Sequence, residues 1–417
     1  MTSPISKVRR LTTYALATAI SIGLFIGLLE LFSFAVTAVQ TRTLSTPKQL
    51  FSAVEKNAYV RIAKTTNCNY HDKLFPHPWL GYVYHNLPPC GSKTTRIGLR
   101  GRDFPYEKSD DYYDILILGG SVASQFTVTL AGVGEPERAT PFLEEYLNRH
   151  FRSPTGMPVR VLNGAAGGWR HPQQGIMTLL YGHIVDAIVS VDGFNEILLA
   201  GRQSFEFPSG NFTIVNPTVN TSYGTLLRAY MTSKLFESAA AHPVFSRSYA
   251  AFLATSLLRR AGALDELAGE RLDYHRNMFK FPPDWSPEKI SQARVNKYKY
   301  HIESIYALAR QHGFEAAFFV QPMPIFGKVL TPEEQKFAKG NRYGDLYQST
   351  TAELLKLNEK GIFVSSLQDI FADEEARVYR DKIHLLARGN ERMAQVIGDQ
   401  IAESWGFERT NARNLLD

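Results

Sequence analysis

Five short apolar runs decide what this chain can fold into: residues 114–120 (DILILGG), 159–165 (VRVLNGA), 184–191 (IVDAIVSV), 314–321 (FEAAFFVQ) and 361–366 (GIFVSS). Runs of this length that are apolar at almost every position belong to strands buried on both faces, the pattern of a parallel sheet with helices on either side. Parallel neighbours need long crossovers, and the intervening segments supply them. Helical patterns at 141–151, 171–182, 287–311 and 345–360 fall between the strands. A last one at 390–405 carries Met393, Val396, Ile397 and Ile401 on one face and stops at Gly406, a residue suited to a left-handed helix end. The order strand, helix, strand predicts a three-layer α/β/α sandwich around a five-stranded parallel sheet, in a domain from about 108 to 410.

Two regions fall outside that alternation. Residues 40–107 are rich in Pro, His and Tyr, with turn signals and few periodic stretches, and read as a lead-in packed on the main domain. Residues 197–286 are too long for a simple connection and mix a Gly/Asn/Thr loop with helical stretches near 226–260, so they read as an inserted lid or cap. The sequons at Asn211 and Asn220 carry weight only in a host that glycosylates proteins.

Ahead of both lies an apolar run at 11–39, preceded by Lys7, Arg9 and Arg10 and broken by one charge, Glu30. About 20 apolar residues cross a bilayer, and the basic flank marks the cytoplasmic end. The expectation is a cytoplasmic tail at 1–10, a transmembrane helix at 11–39, and everything beyond it extracytoplasmic, periplasmic in a bacterium. A signal peptide cleaved near Val36-Thr37-Ala38 is the other reading of the same run. Glu30 implies either self-association in the membrane or a span that ends early.

Cys68 and Cys90 are the only cysteines, and both follow the predicted span, where an oxidising compartment lets two thiols pair. A disulfide there would stabilise a loop-rich segment by roughly 3 kcal/mol. The rival is a metal site shared with His71, His77 and His85, although their spacing matches no usual zinc module. No cofactor motif is present. A net charge of +6 favours anionic partners, but the basic residues are dispersed rather than gathered into a stripe, which argues against nucleic acid. Oligomeric state is not readable.

The chemistry-bearing residues cluster at strand ends. Ser121 follows the first strand in GGSVA, at the carboxyl edge where open α/β sheets hold their ligands. Asp381 and His384 sit three residues apart in RDKIHLL, a spacing that lets the carboxylate accept from Nδ1 of the same imidazole. Serine is a weak nucleophile alone; an imidazole to take its proton and a carboxylate to fix the tautomer convert it into a strong one. LNGAAGGW after the second strand offers the backbone N–H of Gly168, with Gly167 as the fallback, and DGFNE after the third offers the amide of Asn195. Those are the donors an oxyanion needs, together with Ser121 itself. Trp169, Arg170 and His171 follow as groove-lining or packing residues.

These four blocks resemble the SGNH hydrolases, also called the GDSL esterase/lipase family, whose blocks carry Ser, Gly, Asn and His in this order. The resemblance runs from about 114 to 405 through Gly119-Gly120-Ser121, Asn163 with Gly168, Gly193-Phe194-Asn195-Glu196, and Asp381-Lys382-Ile383-His384. It implies a flavodoxin-like fold and a serine esterase acting on an acylated small molecule or glycan. Transfer of the acyl group to a sugar, or an inactive glycan-binding assembly protein, are the alternatives it leaves. The chain departs from the pattern at Gly120, Glu196 and Leu385, where Asp, Asp and Pro are usual. An α/β-hydrolase is a poorer fit, because its nucleophile follows several strands and its acid is separated from its histidine.

Overall fold

The computed structural model describes residues 4–55, 74–86, 93–128, 138, 140–197, 223–261, 281–338 and 344–410. Cys68, Cys90, His71 and both sequons lie outside them. Contacts divide the chain into two units: Met1–Asn67 with Pro217–Asp273, and Cys68–Asn216 with Tyr274–Asp417. Helical stretches of the expected insertion, α7 (Tyr223–Ala241) and α8 (Tyr249–Ala261), therefore group with the N-terminal helices α1 (Pro4–Thr41) and α2 (Pro47–Glu55).

The larger unit begins with an antiparallel hairpin, β1 (Leu74–His77) and β2 (Gly81–Tyr84). Its sheet is built from β3 (Tyr113–Gly119), β5 (Val159–Ala165), β6 (Ala187–Asp192), β7 (Glu315–Val320) and β8 (Val364–Ser366), all parallel, in the order β5-β3-β6-β7-β8. Crossovers carry α3 (Ser121–Thr127), α4 (Phe142–His150), α5 (Gln173–Tyr181), α6 (Phe194–Ile197), α9 (Pro287–His312), α10 (Pro332–Ala338) and α11 (Gly344–Leu355), and α12 (Ala387–Trp405) closes the chain. A two-residue pairing joins β4 (Phe151–Arg152) to β9 (Glu408–Arg409) at the margin. This is the expected α/β/α sandwich with a flavodoxin-like strand order.

Alternation along the strands explains the three layers. In β3, Leu116 and Leu118 join one core with Met177 of α5, Tyr298 and Ile302 of α9, and Tyr347 of α11. Ile115 and Ile117 point the other way, to Phe126 of α3, Leu143 of α4, and Met393 and Ile397 of α12. Both faces of β3 are fully buried, which is why the run lacks a polar alternate.

Element ends follow local chemistry. The Ser286 hydroxyl accepts from the Lys289 N–H to start α9, Pro287 occupies its first turn, and Gly313 ends it at φ +73°. The strand ends are level: Gly119 of β3 is in register with Ala165 of β5 and Val191 of β6. The loops after these three adjacent strands thus open at one edge, on both sides of the point where strand order reverses.

The smaller unit has a helix of another kind. In α1, residues 12–41 include an 18-residue stretch with a mean hydropathy of 2.2 and almost nothing buried, so the helix is long and apolar enough to cross a membrane. Beyond it, Leu50 and Phe51 of α2 pack with Phe236 of α7 and Phe252 of α8 in a small separate core, the Phe51 and Phe252 rings meeting edge to face at 5.2 Å.

Candidate active site

Ser121 is the first residue of α3, reached through a sharp turn at the end of β3. Gly119 makes that turn at φ +140°, and a Cβ there would lie 2.2 Å from the Val191 carbonyl oxygen, so no other residue fits. Gly120 is constrained differently: a Cβ on it would come within 2.3 Å of the Asn195 amide nitrogen. The departure at Gly120 has a steric cause, because any side chain there would displace Asn195.

His384 and Asp381 come from the loop before α12 and meet Ser121 across 263 residues of sequence. His384 Nε2 lies 2.8 Å from Ser121 Oγ, and His384 Nδ1 lies 2.8 Å from Asp381 Oδ2. Asp381 Oδ1 accepts from the backbone N–H groups of Ile383 and His384 at 3.0 and 2.9 Å. Burial alone would raise the Asp381 carboxyl, but the His384 ring and those two N–H donors outweigh it and hold the group well below the usual carboxylate range. The acid is therefore ionised at any physiological pH, as a partner for imidazolium must be.

That loop is a tight reversal. The Arg380 N–H donates to the His384 carbonyl and the Leu386 N–H to the Val378 carbonyl, both at 2.8 Å. Its base is held by Glu334 of α10, whose Oε1 accepts from the N–H groups of Val378 and Tyr379 at 2.9 Å each. Glu334 Oε2 accepts from the Thr331 N–H and lies 3.2 Å from Lys328 Nζ, so this buried carboxylate is fully partnered. Leu385, the other departure beside the histidine, is buried in the core that includes Met393 and Phe371.

On the opposite side, Gly168 adopts φ +80° in the loop after β5. The lead-in hairpin fixes this loop. Tyr82 Oη donates to the Gly167 carbonyl at 2.7 Å, the Gly167 N–H donates to Tyr84 Oη at 3.0 Å, and Trp169 Nε1 donates to the Tyr82 carbonyl at 3.1 Å. The Gly167 N–H is thus spent on Tyr84, so the fallback donor is taken. Trp169 and His171 are fully buried and Arg170 nearly so, which makes them packing rather than groove residues.

Asn195 lies in α6, one turn beyond β6. Its Nδ2 donates to the Trp169 carbonyl at 2.7 Å, which spends one amide hydrogen on orientation and leaves the second for a ligand. Asn163 is structural: its Nδ2 donates to the Arg100 carbonyl and its Oδ1 accepts from the Ala165 N–H, tying the lead-in to the end of β5.

A buried polar group behind the loops was not legible in the sequence. Asp192, ending β6, accepts from Ser190 Oγ at 2.8 Å and from Tyr298 Oη, and lies 3.3 Å from His171 Nε2. Glu196 Oε2 accepts from the Gly193 N–H at 2.9 Å and Oε1 from Gln174 Nε2 at 3.3 Å. Burial, reinforced by the neighbouring Asp192 charge, pushes the Glu196 carboxyl up to about 7. Burial would likewise raise Asp192, yet its hydrogen bonds and the His171 ring beside it bring it below the ordinary carboxylate value. His171, Asp192 and Glu196 are close enough together to resemble a metal triad. Both carboxylates are already engaged by protein donors, which makes the cluster a hydrogen-bonded brace. The sole sequence hint was a glutamate where the family has aspartate; the longer side chain is what reaches back to the Gly193 N–H.

No family model and no curated protein sequence matches the chain. Among solved structures, it is similar to a putative acylhydrolase from Bacteroides fragilis, at 10% identity over 72% of this chain and 91% of that one, with a TM-score of 0.33. It is similar also to an acetyl-xylooligosaccharide esterase from Geobacillus, at 10% identity over 73% and 99%, TM-score 0.37. A carbohydrate acetylesterase from Sinorhizobium meliloti matches at 11% identity over 70% and 99%, TM-score 0.31.

Proposed function

We propose that this chain is a serine esterase of the SGNH type, with Ser121 as nucleophile, His384 as general base and acid, and Asp381 as the carboxylate that orients it. The observation that carries the reading is the unbroken hydrogen-bond relay from Ser121 Oγ through His384 to Asp381, with 2.8 Å at each junction. A serine, an imidazole and an ionised carboxylate in that chain have one common use, acyl transfer.

Ser121 Oγ attacks the ester carbonyl carbon while its proton passes to His384 Nε2. The carbonyl oxygen becomes an oxyanion, stabilised by the Ser121 and Gly168 N–H groups and by the second amide hydrogen of Asn195. Collapse breaks the ester bond, and the departing alkoxide takes the proton from His384. Water then repeats the sequence on the acyl-serine: it loses a proton to His384, the acid is released, and Ser121 recovers its hydrogen. Asp381 remains ionised throughout and stabilises the imidazolium.

The substrate class we assign is an O-acyl, foremost acetyl, ester on an envelope or extracellular glycan. Two things support it: the resemblance of the four sequence blocks, and the placement of the catalytic unit outside the membrane that α1 and its basic flank imply. The test is turnover of short acyl esters and of acetylated glycans by the full chain and by Ser121→Ala. Loss of activity by roughly 10⁴-fold or more is expected, with an acyl adduct on Ser121 seen by mass spectrometry of the unsubstituted protein alone. Equal turnover by the two proteins would remove Ser121 from the mechanism. Acetyl moved to an oligosaccharide with none released to water would make the enzyme a transferase.

A further inference from the structure

Glu30 is the only charged residue in the apolar run at 11–39, and the structure supplies it with donors from a distant part of the chain. One carboxylate oxygen accepts from the Ser248 hydroxyl, the other from the Tyr249 N–H at 2.8 Å. Ser248 also accepts from the Ala251 N–H at 3.0 Å, so it caps α8 while binding Glu30. The carboxylate thus sits at the positive end of a 13-residue helix, where a negative charge is stabilised. Phe34, one turn further along α1, meets the Tyr249 ring edge to face at 5.1 Å. Glu30 has its partner inside its own chain rather than needing a second copy.

The depth of that contact follows from helix geometry. From Leu11, just past the basic flank, to Glu30 the helix rises about 28 Å at ~1.5 Å per residue. A hydrocarbon core is about 30 Å thick, so Glu30 stands at its outer boundary. Apolar side chains of α1 are exposed up to this level and just past it at Leu31 and Phe32, whereas the polar Ser33 and Thr37 are buried. The turn joining α7 to α8 is pinned to Glu30 through Ser248 and must lie at the same depth. Its tip presents Val244 at 66% and Phe245 at 50% exposure, beside an exposed Arg247. Along α7, Leu227, Met231 and Leu235 repeat every fourth residue and form one apolar stripe, 49–62% exposed. The other side of α7 is satisfied by Phe51 and Phe252 through Phe236.

We infer that the α7–α8 hairpin is a membrane-surface element: its Val244-Phe245 tip enters the acyl-chain boundary of the outer leaflet, and its stripe rests on the same lipid. The occupant of this apolar surface is phospholipid, because the tip is tied through Ser248 and Tyr249 to Glu30, which lies within a stretch of α1 whose apolar side chains are exposed, and a carboxyl group at that level has to be partnered. An apolar tip flanked by a cation is the make-up of an interfacial anchor, with burial of roughly 5–10 Å. The inserted segment then serves as a collar that fixes where the chain leaves the bilayer.

This inference rests on α1 spanning the bilayer, and the test separates the two. The full chain would be reconstituted in phosphatidylcholine/phosphatidylglycerol vesicles containing a phospholipid with a diazirine in its acyl chain, irradiated, and mapped by peptide mass spectrometry. Lipid adducts are expected on α1 within 12–29 and, separately, at Val244-Phe245 and along the α7 stripe. Phe245→Glu should abolish the adducts at the tip while leaving those on α1, and ester turnover, unchanged. Adducts on α1 with none on the hairpin would overturn the inference and leave the span standing. Absence of adducts on α1 as well would overturn both. A stripe free of lipid adducts in vesicles where the chain sediments as a dimer would likewise refute it.

Discussion

The two sides of the candidate site are built in opposite ways. The oxyanion side is buried and held by many partners: Asn195 is 7% exposed, the loop carrying Gly168 is tied to two tyrosines of the lead-in hairpin, and Asp192 and Glu196 lie fully enclosed behind it. The acid–base side is a surface loop, with the Asp381 side chain 40% exposed, and its fixed shape comes from a few backbone hydrogen bonds and Glu334. The difference teaches that position is secured where it matters for each role. Oxyanion donors work only if they are already in place when charge develops, so they need a rigid wall. A histidine that accepts and returns protons needs only the right tautomer and reach, and a short loop with an internal carboxylate is enough. Activity and stability should therefore separate across the site.

The sharpest break between the sides is Asp381→Asn. Asparagine keeps an oxygen to accept from the Ile383 and His384 N–H groups, so the loop retains its shape, but it presents an amide to Nδ1 and imposes the wrong tautomer. A fall in kcat of about 10⁴-fold is expected, with a change in stability within roughly 0.5 kcal/mol. Steady-state kinetics together with a thermal melt decide it. A large loss of Tm would mean that the acid–base loop is part of the structural frame, and the comparison would fail.

Asn195→Ala should show the reverse combination. On the proposed mechanism it removes one oxyanion donor, about 10²–10³-fold in kcat with little change in KM. It also leaves the buried Trp169 carbonyl without its amide donor, at about 1–3 kcal/mol of stability. Measured in the same way, a variant that loses activity alone would show that the oxyanion wall is less integrated than its hydrogen bonds imply.

Much of this was legible in the sequence, for identifiable reasons. The strands were readable because they are buried on both faces, and β5 was placed at Val159–Ala165 residue for residue. The strand expected at 184–191 starts three residues later, since residues 182–184 form a short 3-10 turn. The 345–360 helix ends as α-helix at Leu355 and tightens over Lys356–Lys360 before Gly361. Ser121 at the end of β3, and Asp381 and His384 three residues apart in the loop before α12, were visible as candidates from residue type and spacing. Tyr82, Tyr84 and Glu334 were not, because each acts by bonding backbone groups far away in sequence, and such contacts leave no local pattern. For the same reason nothing in residues 223–261 marked them as partners of the first helix; the Glu30 contact crosses 218 residues.

The smallest expected effect lies in the brace behind the oxyanion wall, and it appears as a pH dependence. Glu196 is pushed up to about 7 by burial and by Asp192, against an unfolded value near 4.3. A carboxyl whose folded pKa exceeds its unfolded one binds its proton more tightly when folded. Its stabilising contribution is thus complete below about pH 4 and is lost as pH rises toward 7. Thermal melts between pH 4.5 and pH 7.5, a range set around those two values, should show Tm declining across the window in the unsubstituted chain. Glu196→Gln carries no titrating proton but can still accept from the Gly193 N–H, so its Tm should stay nearly flat over the same range and kcat should fall by less than about tenfold. If instead the substituted chain melted with the same pH slope, the titrating group would lie elsewhere, and the buried carboxylates would be a passive part of the wall that holds Asn195.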